Sequence, residues 1–94
     1  MEIIVLGGGT AGYVSALILK ERFRETINIK VIKSKDIGII GVGEGSTEHW
    51  SDFLDFINLN SGRMIKECGA TFKLGVMFEN WGCQKYFHSL DPDF

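Results

Sequence analysis

Apolar positions change period several times along the 94 residues. Ile3, Ile4, Val5 and Leu6 form a continuous run ended by three glycines. A run of that length, bounded by turn residues, predicts a short strand buried on both faces. From Thr10 to about Arg24 the pattern becomes helical: Val14, Leu17 and Ile18 fall at i, i+3 and i+4, while Lys20, Glu21, Arg22 and Arg24 are charged. Ile27, Ile29 and Val31 then alternate with polar neighbours and predict a second strand ending near Ile32. Strand, glycine turn, helix and strand make a βαβ unit, for which parallel pairing and a right-handed crossover are expected.

The next block, residues 37–45, holds four glycines and fits neither helix nor regular strand. Ser46 or Thr47 is placed to N-cap a helix on which Trp50, Phe53, Leu54 and Ile57 form an apolar stripe, read as core. Asn60 or Ser61 starts a shorter helix to about Glu67, with Gly69 as its C-cap. Residues 71–78 predict a strand with Phe72, Leu74, Val76 and Phe78 on one face and Thr71, Lys73, Gly75 and Met77 on the other. After Trp81-Gly82 the pattern predicts no further element. The fold class is therefore α/β: an N-terminal βαβ Rossmann-like segment, further helices and one additional strand, in one partial domain over residues 1–94.

Composition narrows the function classes. Ten basic and 12 acidic residues leave a net charge of −2, so no positive field for nucleic acid or an anionic membrane exists. Charged residues interrupt every apolar stretch well before the roughly 18 residues a membrane span needs. The first residues lack the basic segment of a secretory signal. Cys68 and Cys83 are too few and too far apart for a zinc site and read as free thiols in a reducing cytoplasm; no metal site is expected. Twelve glycines, against one proline, lie well above the usual share of roughly 7% and point to backbone geometry rather than a linker.

Gly7-Gly8-Gly9-Thr10-Ala11-Gly12 satisfies G-x-G-x-x-G, with a strand before it and a helix after it. Gly7 permits the tight turn, Gly9 lets the backbone approach a diphosphate, and Gly12 lets helix and strand pack closely. With Thr10 and Ala11 these residues place unpaired N–H donors where an anion is stabilised. A dinucleotide site usually carries an acid at the end of the second strand to hold the ribose hydroxyls. Here that position is Lys33, followed by Lys35. Three readings stay open for Lys33: a contact to a 2′-phosphate as in NADP sites, a neighbour of a nucleotide held without the carboxylate, or a solvated lysine.

The second glycine block and the third strand add further chemistry. Together with Gly7-Gly8-Gly9-Thr10-Ala11-Gly12-Tyr13, the segments Ile40-Gly41-Val42-Gly43-Glu44, Thr71-Phe72-Lys73-Leu74-Gly75-Val76-Met77-Phe78-Glu79-Asn80-Trp81 and Tyr86-Phe87-His88 resemble the N-terminal part of the flavin-dependent tryptophan halogenases. The resemblance implies FAD, used as FADH2, with halide as co-substrate. It also implies a separate flavin reductase, and an aromatic substrate such as tryptophan halogenated by hypohalous acid. Gly41, Val42, Gly43 and Glu44 match the family's strap-like loop along the flavin, and glycines suit close approach to a flat ring. The family's usual Ala-Thr continuation is replaced by Gly45-Ser46-Thr47.

Lys73 matches the family's catalytic lysine. On its strand the amine is expected to project into a cavity, where burial lowers its pKa; the alternative is an ordinary lysine facing water. The tryptophan-rich W-x-W-x-I-P segment and the carboxylate that partners the lysine are expected beyond residue 94, so the chain reads as a fragment rather than a complete catalyst. Two other readings remain: another FAD- or NADP-dependent oxidoreductase or monooxygenase segment, and a truncated, non-catalytic nucleotide-binding module. His49, Cys68, Cys83 and His88 receive no role. Trp81 reads as a packed aromatic.

Overall fold

In the computed structural model, which describes residues 1–41, 44–82 and 84–90, the opening apolar run forms β1 over Glu2–Leu6. Helix α1 follows over Thr10–Phe23, then a 3-10 turn over Arg24–Thr26 and strand β2 over Asn28–Ile32. The strands pair in parallel with Glu2 opposite Asn28 and Leu6 opposite Ile32, as a βαβ unit requires. Lys30 and Glu2 form a cross-strand ion pair at 3.0 Å. Ile27, just before β2, is buried.

One feature of β1 departs from expectation. Its residues alternate instead of being buried on both faces: Ile3 and Val5 are half-buried, while Ile4 and Leu6 are exposed, Leu6 by 84%. The reason is the single layer. Helix α1 covers the face carrying Val5, Ile29 and Val31, and among the described residues of this unit no second helix covers the other. On α1, Val14 is half-buried but Leu17 and Ile18 stay largely exposed, so the helix meets the sheet along a narrower stripe than its sequence predicts.

Met1–Glu44 and Gly45–Phe94 are two compact units. In the second, α2 spans His49–Phe56 and α3 spans Ser61–Cys68. Leu54 is the buried centre of the α2 stripe at 6% exposure, with Trp50 and Phe53 half-buried and their rings 4.9 Å apart. Neither Ser46 nor Thr47 caps α2. The Thr47 carbonyl accepts from the Trp50 N–H in a turn, and Glu48, already in the helical region, is the cap residue without a side-chain bond. Helix α3 follows its sequence signals closely. Asn60 accepts from the Gly62 N–H at 2.7 Å, and Gly69 closes the helix at φ 67°. Asn60→Ala removes that cap and is expected to lower stability by about 1 kcal/mol, read from denaturant unfolding midpoints.

The third predicted strand is shorter than expected and has a partner the pattern did not show. Strand β3 covers only Gly75–Phe78, and pairs antiparallel with β4, Tyr86–Ser89, with Val76 opposite His88 and Phe78 opposite Tyr86. The Phe78 and Tyr86 rings stack at 4.9 Å, and Trp81 meets Phe78 edge-on. The ladder extends one bond further, from the Leu90 N–H to the Leu74 carbonyl. Residues 71–74 lie outside the strand and are irregular. At Gly75 a Cβ would collide with the His88 carbonyl and the Phe87 ring, so glycine lets the two chains close.

Candidate functional site

The glycine turn joins β1 to α1. Gly7 adopts φ 127°, a conformation suited to glycine, and its N–H donates to the Ile32 carbonyl at 2.8 Å, which ties the start of the turn to the end of β2. Gly9 is the N-cap of α1 in extended backbone without a side-chain cap, and the first helical bond runs from the Tyr13 N–H to its carbonyl. The N–H groups of Thr10, Ala11 and Gly12 therefore have no partner within the helix. A Cβ on Gly12 would run into the Gly7 carbonyl oxygen and approach Val5 Cγ1, whereas one on Gly9 would meet no protein atom within 4 Å. Gly12 is thus the close contact between helix and turn, and Gly9 is the open face. This division fits a diphosphate: backbone donors and positive dipole end on one side, free approach on the other.

Lys33 is brought to the same turn. A Cβ on Gly8 would lie 2.5 Å from Lys33 Cβ and 3.0 Å from its Cδ, so the lysine stem lies across Gly8. Among the described residues no carboxylate pairs with Lys33. Thr10, the first residue of α1, donates through Oγ1 to both carboxylate oxygens of Glu44, at 3.2 and 3.4 Å. Glu44, in the second glycine block, is thereby joined to the glycine turn across 34 positions of sequence. Sequence patterning marks Thr10 and Glu44 separately, and nothing in it pairs them. Gly41 is exposed, and its N–H bonds the Ile39 carbonyl; Val42 and Gly43 lie outside the described residues.

Lys73 belongs to the second unit. It stands in the irregular segment before β3, exposed, and not on a strand projecting into a cavity; Phe72 beside it is 80% exposed. The burial expected of its amine is absent: Lys73 is exposed. Its side chain folds onto Gly45: a Cβ there would lie 2.5 Å from Nζ, 3.0 Å from Cδ and 3.3 Å from Cε. The sequence shows Gly45 only as a departure from a motif, and gives no sign of what the departure makes room for.

The remaining chemistry-bearing residues stay apart. Cys68 is an exposed free thiol, Cys83 lies outside the described residues, and His49 sits 3.7 Å from Asp52 on the surface of α2. Arg63 donates to both Glu67 oxygens at 3.0 and 3.1 Å, which raises its pKa further above an already high value. Among the described residues no cluster of three metal-ligating side chains forms, and no helix is long and apolar enough to cross a membrane.

A Rossmann-like βαβ opening with its glycine turn, followed by helices and a hairpin, defines an α/β segment of the nucleotide-binding type. The sequence model of the tryptophan halogenase family matches residues 2–92, and the chain belongs to that family. It is similar to the 7-chloro-L-tryptophan 6-halogenase KtzR of Kutzneria sp. (strain 744), 43% identical over 79 residues, covering 84% of this chain and 15% of that protein. The tryptophan 7-halogenase RebH of Lentzea aerocolonigenes is 33% identical over 81 residues, covering 85% and 15%. In the crystal structure of the tryptophan 6-halogenase SttH from Streptomyces toxytricini, a segment superposes with a TM-score of 0.83 at 34% identity, covering 94% of this chain and 18% of that one. The chain thus spans about 15% of the length of the relatives it matches.

Proposed function

We propose that this chain is the flavin-binding opening segment, a partial domain, of a flavin-dependent halogenase. The enzyme takes FADH2, dioxygen and a halide and halogenates an aromatic substrate such as tryptophan. The observation that carries the reading is the open phosphate turn of Gly7, Gly9 and Gly12 in a chain of this family. One structural relative is described as a tryptophan C-6 flavin-dependent halogenase. A separate flavin reductase, acting in the cytoplasm, completes the proposal.

The chain's residues divide the work as follows. The N–H groups of Thr10, Ala11 and Gly12 bind the FAD diphosphate, with Gly7 shaping the turn and Gly9 leaving room for approach. Lys33 adds positive charge across Gly8. Gly41, Val42, Gly43 and Glu44 are the residues assigned to the flavin, and Glu44 accepts from the Thr10 hydroxyl beside the glycine turn. Held by these residues, reduced flavin would supply the two electrons with which dioxygen, halide and a proton give hypohalous acid and water. Lys73 donates a hydrogen bond from Nζ to the oxygen of hypohalous acid. As the ring carbon takes the halogen, that oxygen accepts the proton lost from the ring and leaves as water. The lysine thereby makes the halogen a better electrophile without being consumed.

The test is direct. The complete enzyme, given FADH2, air, chloride or bromide and tryptophan, is expected to yield halotryptophan detectable by mass spectrometry. Consumption of FADH2 without a halogenated product from tryptophan or any other indole contradicts the reading.

A further inference from the structure

We propose that Glu44 supplies the carboxylate that the second strand lacks: held by the Thr10 hydroxyl, it accepts a hydrogen bond from a sugar hydroxyl beside the FAD diphosphate. This inference rests on the proposed FAD site. A nucleotide-binding unit of this type usually carries an acid at the end of its second strand, and here that position is Lys33. An ammonium donates hydrogen bonds and accepts none, so Lys33 does not replace the missing acceptor. Glu44 brings a carboxylate to the same turn from elsewhere in the sequence. Its two oxygens lie 3.2 and 3.4 Å from Oγ1 of Thr10, the first residue of α1, and both residues belong to the first compact unit. The first turn of α1 has no acid of its own, and its Gly9 cap makes no side-chain bond.

The contacts of Glu44 leave the phosphate donors free. Among the described residues it accepts from the Thr10 hydroxyl and from no backbone N–H, and it forms no ion pair. The carboxylate therefore lies beside the N–H groups of the turn without occupying them. A hydroxyl has one proton to give, so a carboxylate with about four lone-pair sites keeps most of its accepting capacity. Thr10 serves with two atoms: its N–H faces the diphosphate and its hydroxyl fixes Glu44. Charge gives the idea a sign. A carboxylate beside a diphosphate repels it if there is nothing to accept from, and binds through a charge-assisted bond if a hydroxyl stands there. In FAD two hydroxyl-bearing chains flank the diphosphate, the adenosine ribose and the ribityl chain, and both offer that donor.

The experiment is equilibrium titration of the complete enzyme and its variants with FAD and, separately, with ADP. Glu44→Ala is expected to bind FAD roughly fivefold to tenfold more weakly, the effect of losing a hydrogen bond to a charged group. Tighter or unchanged FAD binding overturns the proposal, because a bare charge beside the diphosphate would give that result. A matching loss for ADP assigns the bond to the ribose; a loss for FAD alone assigns it to the ribityl chain. Thr10→Val keeps the side-chain shape without the hydroxyl and is expected to lose FAD affinity several-fold, while Thr10→Ser keeps it. The Thr10→Val/Glu44→Ala pair is expected to bind no more weakly than Glu44→Ala alone, and additive losses overturn the link. Both side chains are exposed, so melting temperatures of the flavin-free variants are expected to hold. Should Thr10→Val fail to fold, the sign of the Glu44→Ala effect still decides. Wild-type enzyme that binds neither FAD nor ADP defeats the functional reading itself; wild-type binding that Glu44→Ala leaves intact defeats this inference alone.

Discussion

Gly12→Ala is expected to weaken FAD binding by roughly tenfold or more, about 1.4 kcal/mol, and to destabilise the fold at the same time. The added methyl meets the Gly7 carbonyl oxygen, a backbone atom that no rotamer change can remove, with Val5 Cγ1 at 3.6 Å behind it. Helix α1 must therefore lift from β1, and overpacking of this kind costs about 1–3 kcal/mol. Lifting the helix also misaligns the N–H groups of Thr10, Ala11 and Gly12. Gly9→Ala separates the two effects. Its methyl meets no protein atom within 4 Å, so the melting temperature is expected to hold while FAD affinity falls. Calorimetric titration with FAD, beside thermal unfolding of both variants, checks the pair; Gly9→Ala binding FAD as tightly as wild type contradicts the phosphate turn.

The second large effect is chemical. Lys73→Ala in the complete enzyme is expected to lower halogenation by about 10²–10⁴-fold, the range for loss of a positioned proton donor. Stability is expected to change by no more than about 0.5 kcal/mol, because the side chain is exposed and makes no ion pair among the described residues. FAD affinity is expected to hold, since the residues of the phosphate turn all belong to the other unit. Product formation by chromatography, measured beside FADH2 oxidation, separates the two halves of the reaction. Normal halogenation in Lys73→Ala removes the lysine from the mechanism.

Locally encoded features were the legible ones. The parallel βαβ unit follows from a change of hydrophobic period around three glycines, and α3 follows from Asn60 and Gly69, whose capping roles depend on their own backbone. Features that depend on distant partners were not. Strand β4, Tyr86–Ser89, is a four-residue stretch that becomes a strand by pairing with β3. The exposed side of β1 follows from which helices are present to cover it, a fact outside its own six-residue neighbourhood. At the site, the glycine turn was legible because its geometry demands glycine at positions 7 and 12. The Thr10–Glu44 bond, the Lys33 stem on Gly8 and the Lys73 amine on Gly45 each join positions 25 or more residues apart, so no local pattern marks them.

The measurement closest to the central claim is a competition for the flavin site of the complete enzyme. If the turn of Gly7, Gly9 and Gly12 grips the diphosphate, ADP displaces FAD, and riboflavin, which has no phosphate, does not. FAD retained in the presence of saturating ADP contradicts the account.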